Sequence, residues 1–323
     1  MSTLVSLCIP TYQRPAQLRE ALESCLAQTY RSIEILISDD SENDETERML
    51  QTHFAGVGNL RYVHNRPSRG QAGNINILFE ISTGERLLLL HDDDLLFPDA
   101  VEKLSAAFVA TPGLTAAFGK QVIIDIHGRE KENESADLNR RYFRTTHYAG
   151  IQKSALWSGL VQQFPNDGYM LTRDAALRVR YLESAKDVCD LDFGIRLGAA
   201  ARMFCYVDSF TAKYRHNDCS LSTQFNPTGL SFNLLNGLTV PPDLESVRRE
   251  RLIELAPYAV SAFLKSGDIA GAQRVYQSGY YRGHLSFRVL MHFLFFSAPA
   301  YLGRVICNTR KPRLLLPLSS TRD

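Results

Sequence analysis

The chain has 323 residues, with 36 Lys plus Arg against 35 Asp plus Glu and a formal net charge of +1. That balance excludes a dedicated nucleic-acid binder, which would be visibly basic, and 45% hydrophobic with 22% charged residues excludes a disordered chain. The six cysteines (Cys8, Cys25, Cys189, Cys205, Cys219 and Cys307) contain no CxxC pair, which argues against a structural zinc site. The N-terminus has no secretory stretch and no apolar run reaches about 20 residues, so the expectation is a cytoplasmic protein with free thiols and no spanning helix.

In chain order, Leu4 to Pro10 reads as a strand, and Pro15 opens a helix with Leu18, Leu22, Cys25 and Leu26 on one face. Ile33 to Ile37 is a second buried strand, Asp44 to Phe54 a polar helix, and Leu60 to His64 a third strand. Gln71 to Ile81 is helical, Arg86 to Leu90 is a fourth strand, and Pro98 starts a helix running to about Ala110. Such alternation implies a mostly parallel sheet covered by helices on both faces, an α/β fold with ligands at the carboxyl ends of its strands. Further on, Phe118 to Ile126 is one long or two short strands, and Gly128 to Tyr148 is polar and expected to be a loop. Tyr169 to Thr172 is a strand, Arg173 to Tyr181 a helix, Asp190 to Ala201 a helix and Met203 to Val207 a strand. From about residue 230 the pattern is helical, with a helix-turn-helix hairpin over Leu252 to Ser278.

Acids stand where strands end. Asp39 and Asp40 follow the second strand, and Asp92, Asp93 and Asp94 follow the fourth. Two such clusters at one sheet edge repel unless a cation or hydrogen-bond donors intervene, and hard divalent cations select oxygen ligands of this kind. The loop from Arg66 to Asn74, with Arg69, Gly70 and Gly73, suits phosphate approach. Tyr12, just after the first strand, could stack on a base, and Trp157 could stack on a sugar or lie in the core.

Three segments in order resemble the family 2 glycosyltransferases of the GT-A fold, including those of bacterial polysaccharide and O-antigen type. They are Ser6 to Arg14, Ile35 to Thr46, and Leu88 to Pro98, the last with a DxD-type metal region. The resemblance implies a transferase domain over 1–225, followed by a C-terminal helical region over 226–323. It implies Tyr12 against a nucleotide base and Asp40 as acceptor from the base, with Asp39 second to it. Pro10, Thr11 and Arg14 would lie in the nucleotide loop, Arg69 would reach base or diphosphate, and Asp92 would reach ribose or metal. Asp93 would be the principal ligand of a divalent Mg2+ or Mn2+, with Asp94 and His216 completing the metal site. His91 stands where the family often has a further acid. The segment Val188 to Leu197 is similar to the family's acidic motif and places the general base at Asp190, with Asp192 as fallback. Gly168, Tyr169 and Met170 would line the acceptor side.

The reaction implied is inverting transfer of a sugar from a nucleotide-sugar donor, a UDP-sugar by family habit, to a hydroxyl of a glycan or lipid-linked glycan. Two rivals are a GT-A-like nucleotidyltransferase and a degenerate sugar-binding or scaffold module. The first would want a Gly-rich, Lys-containing loop where this chain has Pro10-Thr11-Tyr12-Gln13-Arg14, and the second would not need the acids. Between Asp268 and Asp323 there is no acid but eight Lys or Arg, together with an apolar run from Leu285 to Leu302 broken by Arg288, His292 and Pro299. An interfacial helix with a basic tail fits this pattern, and would place the protein peripherally on the anionic inner face of a membrane.

Overall fold

The computed structural model describes residues 2–216, 227–281 and 287–297, in two compact units, Met1–Arg251 and Leu252–Asp323. The boundary expected at 225/226 falls outside the described residues.

The first unit is built on a nine-stranded sheet in the order β3-β2-β1-β4-β8-β6-β9-β5, with β7 paired to β9. The strands are β1 (Val5–Thr11), β2 (Ile33–Asp39), β3 (Leu60–His64), β4 (Arg86–Leu89), β5 (Leu95–Leu96), β6 (Ala116–Ile124), β7 (Gly150–Ile151), β8 (Tyr169–Thr172) and β9 (Phe204–Arg215). Its helices are α1 (Pro15–Leu26), α2 (Glu45–His53), α3 (Gly70–Ile81), α4 (Ala100–Ala110), α5 (Glu132–Arg141), α6 (Ala155–Leu160), α7 (Arg173–Val179), α8 (Cys189–Ala200) and α9 (Pro227–Gly237).

Strands β3, β2, β1 and β4 run parallel. Their residues alternate between two cores, as period-2 geometry requires. Leu7, Ile9, Ile35, Ile37 and Leu88 face Leu18 and Leu22 of α1 and Val101 and Leu104 of α4. Cys8, Leu36, Leu87 and Leu89 face Ile75, Leu78 and Phe79 of α3. All of these side chains are fully buried, which is why the strands read as continuous apolar runs. Each such Leu or Ile contributes roughly 2 kcal/mol of burial.

Beyond β4 the sheet turns mixed. β8 is antiparallel to β4 and β6, while β6 and β9 are parallel. The register of β6 against β9 shifts on both sides of Lys120. Gly119 permits the close approach there, since a Cβ would lie 2.5 Å from Thr211 Oγ1.

Three expectations need correction. Gly128 to Tyr148 is not a loop throughout but carries α5, whose inward face is polar and therefore shows no apolar period. Asn139 exchanges hydrogen bonds with the Gln121 backbone at 3.1 and 2.7 Å, and Ser135 Oγ accepts from Ile123 N–H at 2.8 Å. The strand expected at Met203 to Val207 continues to Arg215, because β6 pairs with it along its length. Tyr169 and Met170 are fully buried and cannot line an acceptor site. Trp157, half-buried, stacks on Tyr148 at 5.6 Å and meets Phe143 edge-on. Cys8, Cys25, Cys189 and Cys205 are free and buried.

The helix α10 (Glu245–Ser266) runs from the first unit into the second, which also contains α11 (Ile269–Tyr276) and α12 (Phe287–Ser297). Asp268 caps α11 by accepting from Gly271 N–H at 2.7 Å. Among the described residues no helix is long and apolar enough to cross a membrane.

Candidate functional site

Parallel pairing brings the carboxyl ends of β1, β2 and β4 to one edge, with Thr11 opposite Asp39 and Cys8 opposite Leu89. The turn after β4 is held from both sides. From β1, Thr11 Oγ1 donates to Asp92 Oδ2 at 2.7 Å, and Tyr12 N–H reaches the same oxygen at 3.3 Å. Arg14 Nη1 bridges Asp92 Oδ1 at 3.2 Å and Asp93 Oδ2 at 2.7 Å. Burial disfavours the Arg14 guanidinium, but Asp92 and Asp93 outweigh that cost and raise its pKa. Asp92 itself is pushed up to about 6 by burial and by Asp93, against the pull of Arg14 and Thr11.

From the other side, Arg215 clamps the same turn. Its N–H donates to Asp94 Oδ1 at 2.6 Å, its Nε to the Asp93 carbonyl at 2.8 Å, and its Nη2 to Glu20 at 2.6 Å. The short β5 pairs with β9 at Lys213 and Ala212, which carries the chain after Asp94 alongside Arg215. Asp167, fully buried, accepts from the His91 N–H at 3.2 Å and from Gln121 Nε2 at 3.0 Å. Burial and the charges of Asp167 and Asp93 raise the Asp94 carboxyl well above its ordinary value.

One ligand atom each from His91, Asp93 and Asp94 lie within 4.8 Å of one another. His91 Nε2 and Asp94 Oδ2 are buried with no hydrogen-bond partner among the described residues. An imidazole nitrogen and carboxylate oxygens so placed fit a divalent cation. His216 is exposed at the end of β9 and belongs to neither of the two groups of this kind among the described residues. The other group is Asp44, Glu47 and His64, where Asp44 is paired with Arg66 as Asp93 is with Arg14 in the first.

Asp39 and Asp40 are buried and already engaged. Asp39 accepts from Ser41 N–H at 2.8 Å and Tyr62 Oη at 2.9 Å. Asp40 Oδ1 accepts from Asn65 Nδ2 at 2.7 Å, and its Oδ2 from Ser68 Oγ and Arg69 N–H, both at 2.9 Å. Asp40 therefore fixes the loop that presents Arg69, whose side chain is exposed. Gln13, at φ 54°, donates its N–H to Ser41 Oγ at 2.7 Å, locking the loop after β1 to the end of β2. Tyr12 is left 48% exposed beside it, and Pro10 lies within β1 opposite Ser38.

Asp190 sits in the first turn of α8. Gln71, at the start of α3, donates to its Oδ2 at 3.3 Å, and its Oδ1 has no partner among the described residues. Withdrawal from solvent raises its pKa, while His91 and the Tyr181 hydroxyl pull the other way. The influence is mutual at His91, where burial lowers the pKa but Asp167, Asp190, Asp93 and Asp92 together raise it. Asp192 is tied to Arg196 at 2.6 Å. Arg196 also donates to the carbonyls of Val179 and Arg180 at 2.6 and 2.8 Å and so closes the end of α7. Asp192 thus holds Arg196, whereas Asp190 keeps a buried oxygen with no partner among the described residues.

Asp167, Arg215, Gln71 and Tyr181 were not singled out from the sequence. Arg215 lies beside the His216 that was, and nothing in the apolar pattern marks Asp167.

Residues 6–160 match the family model described as Glycosyl transferase family 2. The chain is 26% identical over 153 residues to the GalNAc(5)-diNAcBac-PP-undecaprenol beta-1,3-glucosyltransferase of Campylobacter jejuni, a match covering 45% of this chain and 49% of that enzyme. In three dimensions it is similar to S. aureus TarS 1–349 in complex with UDP-GlcNAc, with a TM-score of 0.59 at 14% identity, covering 88% of this chain and 95% of that one. It is also similar to the mannosyltransferase PcManGT of Pyrobaculum calidifontis in complex with GDP-Man and Mn2+, with a TM-score of 0.54 at 14% identity, covering 95% and 84%. At these identities the structural likeness establishes the GT-A-like fold.

Proposed function

From the premise that residues 6–160 belong to glycosyl transferase family 2, we propose that the chain transfers a sugar from a nucleotide-sugar donor to an acceptor hydroxyl with inversion. The observation that carries this reading is the Asp190 carboxylate, whose Oδ1 is buried with no partner among the described residues, close enough to His91 of the His91, Asp93 and Asp94 cluster for each to shift the other's pKa. It pairs a base with a place for the leaving group.

Tyr12 offers its exposed ring to the base of the nucleotide. Asp39 and Asp40 act through the loops they hold, shaping the base site and presenting Arg69 to the diphosphate. Thr11 and Arg14 keep Asp92 and Asp93 together, with Asp92 facing the ribose. His91, Asp93 and Asp94 would hold a divalent cation, which would supply Lewis-acid neutralisation of a departing diphosphate. Asp190 takes the proton of the acceptor hydroxyl as that oxygen attacks the anomeric carbon. A carboxyl raised by burial is a better base near neutral pH than an ordinary one. A single displacement opposite the leaving group inverts the anomeric centre.

The imidazole in the ligand set favours Mn2+ over Mg2+, which prefers oxygen alone. A UDP-sugar is the favoured donor, supported by the TarS complex with UDP-GlcNAc. A glycan or lipid-linked glycan acceptor is supported by the undecaprenol-linked substrate in the name of the Campylobacter enzyme. The test is a panel of UDP-, dTDP- and GDP-sugars with Mn2+, Mg2+ or chelator, reading nucleoside diphosphate release and binding. One donor should turn over and bind with Mn2+ and fail with chelator. Neither binding nor release with any donor would contradict the proposal.

A further inference from the structure

We infer that one face of α12 is a docking surface for an anionic lipid bilayer. In the second unit, His292 anchors that helix inward. Its Nε2 meets Ser261 Oγ of α10 at 2.9 Å and its Nδ1 meets Tyr281 Oη at 2.8 Å. One turn on, Phe296 stacks on Tyr276 of α11 at 4.6 Å. Residues four apart share a helix face, so the opposite face is fixed as well. It carries Leu290, Phe293 and Leu294, which are 52%, 54% and 48% exposed. Exposed large apolar side chains elsewhere in the described residues are scattered, whereas these three fall within five residues. A solvated helix would place polar groups there, and a clustered apolar face signals an interface.

Charge identifies the occupant. Residues 252–323 hold nine Lys or Arg against three Asp or Glu, so residues 1–251 hold 27 against 32. The excess positive charge is thus confined to the part of the chain that bears the apolar face. Arg288, four residues before His292, shares the anchored face instead, lying over the Tyr258 ring at 4.3 Å and donating to Ser261 Oγ at 3.3 Å. A protein partner would need a matching apolar patch. A bilayer with anionic headgroups meets apolar insertion and positive charge together. The inference adds a surface to the proposed transferase, where a lipid-linked acceptor would be presented, but its test does not depend on transfer.

The test is co-sedimentation of the full chain with phosphatidylcholine vesicles, with and without phosphatidylglycerol, at low and high salt. The full chain should bind the anionic vesicles at least tenfold more tightly than the neutral ones, and salt should weaken that binding. Replacing Leu290, Phe293 and Leu294 together by Ser should cut binding at least tenfold with the melting temperature unchanged. Should that variant unfold, Phe293→Trp in the full chain serves instead, and its emission should be quenched by brominated lipid. The inference is overturned by negligible binding at low salt, by undiminished binding of a folded triple variant, by an unquenched Trp, or by self-association through this face without vesicle binding.

Discussion

Asp92 shows how the site trades stability for chemistry. Burial and Asp93 hold its carboxyl at about 6 in the folded chain, against about 4 for an unfolded Asp. The folded state therefore binds the proton more tightly, and the cost of the buried charge is absent below pH 4 and accumulates as pH rises to 6. Two units correspond to roughly 2–3 kcal/mol. Asp92→Asn removes the charge and leaves Thr11 and Tyr12 an oxygen to donate to. In chelator, its stability relative to the native sequence should improve by about 1–3 kcal/mol between pH 4 and pH 6. Urea unfolding at the two pH values measures this, and a pH-independent difference would contradict the burial argument. The sequence made the three consecutive acids legible, since one turn needs one cap. It did not reveal their partners, because Arg215 and Asp167 reach the turn from strands and loops far along the chain.

At the scale of elements, the position of α8 decides where Asp190 points. α8 lies against α6 at backbone distance, and a Cβ on Gly198 would come within 2.5 Å of the Ala155 carbonyl oxygen. Gly198→Ala should therefore cost about 1–3 kcal/mol as an overpacked contact. It should also lower transfer, because the helix that bears Asp190 must shift. Thermal unfolding together with activity checks this, and unchanged values for both would show that α8 has room. The parallel strands and their helices were legible because both sheet faces are apolar and the helices show a clear period. α5 was not, since its packing face is Ser135 and Asn139. The full length of β9 was hidden too, because Asp208, Ser209 and Lys213 interrupt its apolar pattern.

Across the whole molecule, the folded first unit gathers residues from β1, the turn after β4, the start of α3 and the start of α8 around one edge. The three motif segments near the N-terminus were readable from the sequence because they are contiguous. The resemblance already put Asp190 ahead of Asp192, and the ion pair between Asp192 and Arg196 is in keeping with that order. The proposed ligand set takes its imidazole from His91, which stands next to the three acids in the sequence. The most direct measurement of the central claim compares Asp190→Asn with the native chain. It uses the donor identified by the panel, following transfer to acceptor and, by calorimetry with Mn2+, the affinity for the nucleoside diphosphate. A base that acts on the acceptor proton predicts transfer reduced about a thousandfold with nucleotide affinity held within about twofold. Transfer near the native rate, or a nucleotide affinity that falls along with it, would contradict the account.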